Sequence, residues 1–412
     1  MTACIYAIAT CDTKGRELAF VAEAIRRAGG QVKTVDVGTQ ADPTVAADLP
    51  REVVAACHTL GSEHVLRQHD RGTAVTAMSE ALVALLSRHH AQGAVAGVIG
   101  LGGTGGTALI APAMRALPIG LPKLLVSTVA SGNTSPYIGS CDITLMPSVV
   151  DVSGINRVSQ QVLANAAHAI VGMVAHRRQI ANEKPAVAMT MFGVTTPCVT
   201  AVRQRLEADG NDVLVFHATG TGGQALEKLV ESGLVNSVID VTTTEVADEI
   251  VGGIFPAGPA RFDAILATGV PYVLSLGAVD MVNFGALQTV PAEFRNRTLQ
   301  VHNAQITLMR TTAEENRQIA RWIAHKLNRS TAPLILLIPE GGVSALDAPG
   351  QPFWDPQADA ALFAELEATI QVTAARQLRR LPMHINDPAF ANALVTAYQE
   401  LCTRPLQSQL SD

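Results

Sequence analysis

Short apolar runs, each closed by a Gly-, Thr- or Asp-rich turn, alternate along the chain with longer segments of helical periodicity. In the first part, Ile5–Ala9 reads as a strand, Gly15–Ala28 as a helix ended by Gly29-Gly30, and Gln31–Val37 as a second strand. A helical region covers roughly 50 to 90, Ala94–Ile99 is a strand, and a glycine-rich turn follows it directly. Leu124–Ser127 and Ile143–Met146 read as further strands and Asn156–Val174 as a long helix. Strands alternating with helices predict a parallel sheet with helices on both faces.

The polar stretch HRRQIANEKP (176 to 185) interrupts this rhythm and marks the expected domain boundary. It divides the chain into a first subdomain at 1–180 and a second at 185–404. Beyond it the alternation restarts: AVAMTM, VLVF and SVID are strands, with helices at Cys198–Ala208 and Gln224–Ser232. Strands are also expected near Tyr272–Leu276 and Leu334–Ile338, and helices at Ala313–Leu327 and about Asp359–Arg380. Thr312 and Glu315 stand at capping-box spacing. Asp387-Pro388 starts a last helix to about Cys402, and the tail after Pro405 is expected to be loose. The fold class is therefore α/β, with two Rossmann-like subdomains, each a mostly parallel sheet with helices on both faces. The shared order of strand, Thr- or Gly-rich turn and helix suggests a tandem duplication.

Composition narrows the partners. The chain has 412 residues, 16% of them charged, and a net charge of −6. With no basic run, nucleic acid is not an expected partner. The N-terminal apolar stretch meets Asp12 and Lys14 at once, so it reads as a buried strand, not a signal peptide. No apolar run approaches the roughly 20 residues of a membrane helix. Six scattered cysteines suit a reducing cytoplasm.

The candidate chemistry begins at GLGGTGGT, residues 100 to 107. A Gly-rich turn from strand into helix offers bare N–H groups and a positive helix end to an anion. Gly100, Gly102 and Gly105 satisfy G-x-G-x-x-G, and no Asp or Glu lies between Glu80 and Asp142. A Walker loop would need Gly-Lys-Ser/Thr, and Gly106 is followed by Thr107 and Ala108 instead. A dinucleotide fold would want an acid at the end of the next strand, where Ser127 stands. Pro112 is expected to delay or kink the helix. Two further turns should share the same sheet edge. TCDTKG (10 to 15) has Asp12 and Thr13 as caps and Lys14 for a phosphate, and STVASGNTS (127 to 135) adds small hydroxyl residues. Asp36, ending the second strand, is the candidate ribose acid.

TCDTKG, GLGGTGGT, SGNTSPYIG and PSVVDVSGINRV, with HATGTGG, TTTEVAD, GAVDMVNFG, HNAQITLMRTT, PEGGVSALD and HINDPAF further on, resemble the Tm-one-like ATP-binding family. That family comprises the N-terminal domain of a plant resistance protein against tomato mosaic virus and many bacterial relatives. The resemblance covers nearly the whole chain. It implies ATP in the first subdomain and a homodimer, and it brings no settled reaction. The expected nucleotide contacts are Thr10, Asp12, Thr13, Lys14, Asp36, Gly102, Gly103, Thr104, Gly105, Gly106, Thr107, Ser131, Gly132, Asn133 and Thr134.

The second half supplies an acid–base vocabulary at strand ends: Thr195, Thr196, His217, Thr219, Thr243, Thr244 and Glu245, then Asp280, Asn283, His302, Asn303, Arg310, Glu340, Ser344, Asp347, His384 and Asn386. Glu245, His302, Arg310 and His384 are the candidate catalytic set, expected to converge on one cleft. Ser344 lies in no nucleophile elbow, and Cys198 is favoured as a core thiol. His58, His64 and His69 are not spaced i, i+4, so no metal residues are assigned, and magnesium would arrive with nucleotide phosphates. The leading expectation is a cytoplasmic ATP-binding enzyme acting on a small anionic metabolite. Its rivals are a nicotinamide-dependent oxidoreductase and a non-catalytic protein whose partner surface ATP regulates.

Overall fold

In the computed structural model residues 3–178 and 184–403 are described. The chain divides into two compact units, Met1–Ala181 and Asn182–Asp412. Residues 179–183 of the polar 176–185 stretch lie outside the described residues, as does the tail after Pro405.

Unit 1 runs β1 (Cys4–Ala9), α1 (Cys11–Arg27), β2 (Val32–Asp36), α2 (Arg51–Ala55), α3 (Ser62–Leu66), α4 (Arg71–Ala91), β3 (Val95–Gly102), α5 (Thr104–Ala116), β4 (Lys123–Ser127), α6 (Ser135–Ile138), β5 (Thr144–Pro147) and α7 (Arg157–Ala175). Its five strands are all parallel, in the order β2-β1-β3-β4-β5. The strands are apolar on both faces because both faces are covered. Leu18, Val21 and Ile25 of α1 and Leu163 and Ile170 of α7 cover one face. Met78, Leu82 and Leu85 of α4 and Ile110 and Met114 of α5 cover the other.

Unit 2 continues with β6 (Ala186–Met191), α8 (Thr196–Ala208), β7 (Asp212–His217), α9 (Thr221–Glu231), β8 (Ser237–Thr242), α10 (Thr244–Val251), α11 (Asp263–Thr268), β9 (Tyr272–Gly277), β10 (Met281–Phe284), β11 (Leu299–Asn303), β12 (Ile306–Arg310), α12 (Ala313–Leu327), β13 (Leu334–Pro339), α13 (Pro356–Thr369), β14 (Arg376–Leu381) and α14 (Pro388–Thr403). The main sheet is again parallel, ordered β14-β13-β9-β8-β6-β7. Leaving aside the small sheet, its strands follow the same spatial order as unit 1 with one strand added. The two units share a topology as well as a rhythm.

Five details differ from the sequence expectation. The helical region at 50 to 90 is three helices, broken where Gly61 takes φ +84° and where Asp70 caps α4 by accepting from the Thr73 N–H. The first helix starts at Cys11, not Gly15, with Lys14 in a non-helical conformation inside it. α5 starts at Thr104 and runs through Pro112. The helix expected to reach Arg380 stops at Thr369, and RQLRRL forms the edge strand β14. Arg376 is buried against the Gln371, Asn328 and Ser330 carbonyls, while Arg379 and Arg380 pair with Glu400 and Glu367, and charges on an edge strand discourage further pairing. A three-stranded antiparallel sheet, β10-β12-β11, was not expected at all.

Candidate functional site

In unit 1, β1 has β2 on one side and β3 on the other. In such sheets the chain leaves β1 and β3 toward opposite faces, and their carboxyl ends open a crevice. The crevice is present as a cleft of about 360 Å³ lined by Thr10, Asp12, Thr13 and Lys14 after β1 and by Gly103, Thr104, Gly105, Gly106 and Leu109 after β3. Thr39, Gln40, Arg71, Val75 and Asp151 complete it.

The glycines of the turn divide their work. A Cβ on Gly100 would meet Leu125 Cδ1 at 2.7 Å and Ile110 Cγ2 at 2.9 Å, so that glycine lets α5 lie close on the sheet. A Cβ on Gly102 would stand 2.8 Å from the Gly106 carbonyl carbon and the Thr107 nitrogen. Gly103 and Gly105 are different. Their Cβ positions meet only Thr128 Oγ1 at 3.7 Å and Arg71 Nη2 at 3.5 Å. Nothing in the unit itself requires them to be bare.

The N–H groups of Thr104, Gly105 and Gly106 precede any intrahelical acceptor, and Gly103 has no side chain to cap them. Lys14 and Arg71 add two cations, and neither side chain makes a hydrogen bond or ion pair among the described residues. A helix amino end, a guanidinium and an ammonium facing one space repel each other unless an anion joins them. Asp12 offsets little of this, because its Oδ2 already accepts from the Gln40 N–H at 3.1 Å and the Ala41 N–H at 3.4 Å. The arrangement suits a phosphate chain. Among the described residues no group of three or more His, Cys, Asp or Glu could hold a metal ion.

Several expected contacts lie elsewhere. Asp36 is buried, and its Oδ1 accepts from the Cys11 N–H at 2.9 Å and the Gly38 N–H at 2.8 Å, so its carboxylate ties the first turns together and is not offered to a ribose. Thr107 is buried with its hydroxyl 2.6 Å from that of Ser127. Gly102 serves the turn itself. Ser131, Gly132, Asn133 and Thr134 form a loop before α6, where Asn133 Oδ1 accepts from the Ser135 N–H. None of these line the cleft. Arg71, Thr39, Gln40 and Asp151 do, and the sequence reading had not selected them.

In unit 2 the four candidates do not share one set of partners: Glu245 and Arg310 pair with different residues, while Arg310 and His384 both meet the 344–347 loop. Glu245 is buried at the start of α10, where its Oε1 accepts from the Gly220 N–H at 2.7 Å and the Gly223 N–H at 3.0 Å. Its Oε2 accepts from Arg261 Nε at 2.9 Å. The tetrapeptide GTGG thus occurs twice, at 103–106 and at 220–223. In unit 1 its N–H groups face an open cleft, and in unit 2 a carboxylate of the chain already occupies the anion position. Arg261 also grips both oxygens of Asp240 and reaches Glu227 at 3.4 Å, so Glu245 belongs to a buried four-residue cluster.

Arg310 sits in another cluster. Its Nε donates to the Phe353 carbonyl at 2.7 Å and its Nη2 to Asp359 Oδ1 at 2.7 Å, with Asp347 Oδ1 at 3.7 Å. Asp280 joins through the Ser344 hydroxyl, which donates to its Oδ2 at 2.8 Å. His384 has both ring nitrogens engaged, Nδ1 accepting from the Asn386 N–H and Nε2 bonded to the Ser344 carbonyl. His302 is exposed on β11. The physical reason is common to Glu245 and Arg310: a buried charge needs a partner, and each found one locally. Cys198 is a core thiol that burial pushes up to about 12. The carboxyl edge of the sheet is itself covered by a small apolar cluster of Phe192, Val194, Ala278, Met281, Leu308 and Phe353.

The Arg310 cluster has a measurable signature. Burial, with Asp347 adding repulsion, pushes Asp280 up to about 7 and Asp359 up to about 8 against the lowering effect of Arg310. The folded state therefore holds protons that the unfolded chain releases near pH 4. Stability from these two groups is fully present below about pH 4 and lost as pH rises toward 8, by at most about 1.4 kcal/mol per pH unit per proton. Urea unfolding of the wild type and of Asp280→Asn/Asp359→Asn between pH 5 and 8 should show the difference in stability changing with pH in that direction. A difference independent of pH would show both carboxylates ionised throughout.

Residues 3–179 match the model described as Uncharacterised protein family (UPF0261) N-terminal domain, and residues 184–402 match that family's C-terminal domain. A UPF0261 protein of Rhizobium meliloti (strain 1021) is 54% identical over 96% of this chain and 98% of its own length. One of Clostridium tetani (strain Massachusetts / E88) is 44% identical over 95% and 96% respectively. The ToMV resistance protein Tm-1(GCR237) of Solanum lycopersicum is 49% identical over 96% of this chain, which matches 55% of the tomato protein.

Proposed function

The chain belongs to the UPF0261 family, and from that premise we propose that unit 1 binds ATP and that the protein works as a nucleotide-regulated binding protein. The observation that carries the reading is the β1/β3 cleft, where the uncapped amino end of α5 meets Lys14 and Arg71, and neither carboxylate of the lining, Asp12 or Asp151, is paired with either cation. Thr10, Thr13, Lys14, Arg71 and the backbone of 103–106 would hold the phosphates, and magnesium would come with them. Unit 2 supports binding over catalysis, because Glu245 and Arg310 are committed to separate buried clusters and both nitrogens of His384 are engaged. The tomato relative is named for resistance to ToMV, a name that agrees with a fold acting through a partner. The commitment of Asp36 to backbone N–H groups weakens the nicotinamide alternative. A cytoplasmic location and a homodimer fit this proposal. No helix among the described residues is long and apolar enough to cross a membrane.

Thermal stability measured against ATP, ADP, NAD and NADP tests the nucleotide, since a ligand of the native state raises the melting point by mass action. ATP should shift it more than NAD at equal concentration, and a shift with NAD alone would refute the ATP reading. ATP turnover stimulated by a small carboxylate would refute the non-catalytic part. Lys14→Ala should weaken ATP by about 1.5 to 3 kcal/mol, the range for a hydrogen bond to a charged group, with little change in the nucleotide-free melting point. Calorimetric titration measures it, and unchanged affinity would leave TCDTKG as a helix start and nothing more.

A further inference from the structure

Asp151 lines the same cleft from the loop after β5. Its carboxylate accepts no hydrogen bond and makes no ion pair among the described residues, in contrast to Asp12 and Asp36. The backbone that delivers it is strained. Val149 holds φ +66°, which a β-branched residue rarely adopts, and the residue is 76% exposed, so packing does not reward the strain. The bend is fixed by the Val150 N–H donating to the Ser148 carbonyl at 2.7 Å and by the Ser148 hydroxyl donating to the Val150 carbonyl at 2.6 Å. On the other side the Ser153 N–H closes a similar tight turn on the Asp151 carbonyl at 2.8 Å. Strain kept at a cleft is a mark of positioning for a ligand.

Resting on the nucleotide reading, we infer that Asp151 accepts hydrogen bonds from the sugar hydroxyls and makes the site specific for a ribonucleotide. An ionised carboxylate is an acceptor only, so it wants a donor. Phosphate oxygens offer none, and a pair of ribose hydroxyls does. Topology sets the reach. β3, which ends at the Gly turn, and β5, which precedes Asp151, are two strand positions apart, about 10 Å at the usual spacing. A nucleoside polyphosphate bridges such a span, and inorganic phosphate does not. The role that Asp36 was expected to fill thus passes to a residue on another loop of the same edge.

The test is calorimetric titration of the full chain with ATP, 2′-deoxy-ATP, 3′-deoxy-ATP and tripolyphosphate, each with magnesium and with EDTA. The wild type should bind ATP about 10-fold or more tighter than the weaker deoxy analogue, the scale of one hydrogen bond to a charged group. Asp151→Ala should lose that preference and the corresponding ATP affinity while binding tripolyphosphate as the wild type does. Asp151→Asn, which keeps one acceptor oxygen, should fall between and serves if the alanine variant folds poorly. A preference that survives Asp151→Ala, or one absent from the wild type, overturns the inference and leaves the nucleotide reading intact. A loss equal for all four ligands and seen only with magnesium assigns Asp151 to the metal and overturns it too. A wild type that binds none of the nucleotides overturns both.

Discussion

Arg261→Met is expected to cost unit 2 about 3 to 5 kcal/mol, the scale for removing one partner of a buried ion pair. Arg261 is 3% exposed and holds three carboxylates, Asp240 through both oxygens at 2.9 and 2.7 Å, Glu245 at 2.9 Å and Glu227 at 3.4 Å. Asp240 also accepts from the Tyr272 hydroxyl at 2.9 Å and the Thr190 hydroxyl at 2.6 Å, so it has partners to spare. Glu245 and Glu227 each keep two backbone N–H donors, those of Gly220 and Gly223 for Glu245 and of Phe262 and Ala264 for Glu227. Burial raises both of their pKa values even with Arg261 in place. Without it the folded state would bind protons that the unfolded chain releases near pH 4. The stability of the variant should therefore recover toward low pH and fall as pH rises, the direction for a raised folded pKa.

Both tryptophans, Trp322 and Trp354, lie in unit 2, and Trp322 packs edge-on against Phe262 with ring centres 5.6 Å apart. Their fluorescence in urea follows this unit alone. A loss under 1 kcal/mol would mean that the cluster is not structural, and Glu245 would return as a catalytic candidate. The nucleotide response of unit 1 is the internal control and should not change.

The parallel strands were readable because a sheet covered on both faces needs continuous apolar runs, and VAGVIGLG or LILLIP can be little else. Turns that must be bare announce themselves through glycine, which is why the β3–α5 corner was legible. Side chains that arrive from elsewhere carry no such local mark. Arg71 begins a helix that looks ordinary, and Asp151 sits in a loop whose strain at Val149 no composition rule shows. Glu245 misled for the opposite reason. TTTE at a strand end looks like rim chemistry, yet the deciding residue was Arg261 in the unremarkable GPARFD. The small antiparallel sheet escaped because MVNF is only four residues long, and β14 because RQLRRL has the charge of a helix end.

Gly103→Val should abolish the ATP-induced rise in melting temperature while the nucleotide-free protein melts almost as the wild type does. Gly103 has φ −76° and ψ −163°, an extended conformation that valine accepts. Its Cβ would meet nothing closer than Thr128 Oγ1 at 3.7 Å. The cost therefore falls on the ligand, which must approach the N–H groups of Thr104, Gly105 and Gly106 across the space the new side chain fills. Losing two such charge-assisted bonds is worth about 3 kcal/mol or more, roughly 100-fold or more in affinity. Gly105→Val should act likewise, since its Cβ meets only the flexible end of Arg71 at 3.5 Å. Gly102→Ala is the contrasting variant. Its methyl group would press on the Gly106 and Thr107 backbone at 2.8 Å, so it should lower the melting point with or without nucleotide. If Gly103→Val keeps the full ATP shift, no phosphate rests on this helix end, and the proposed site falls with it.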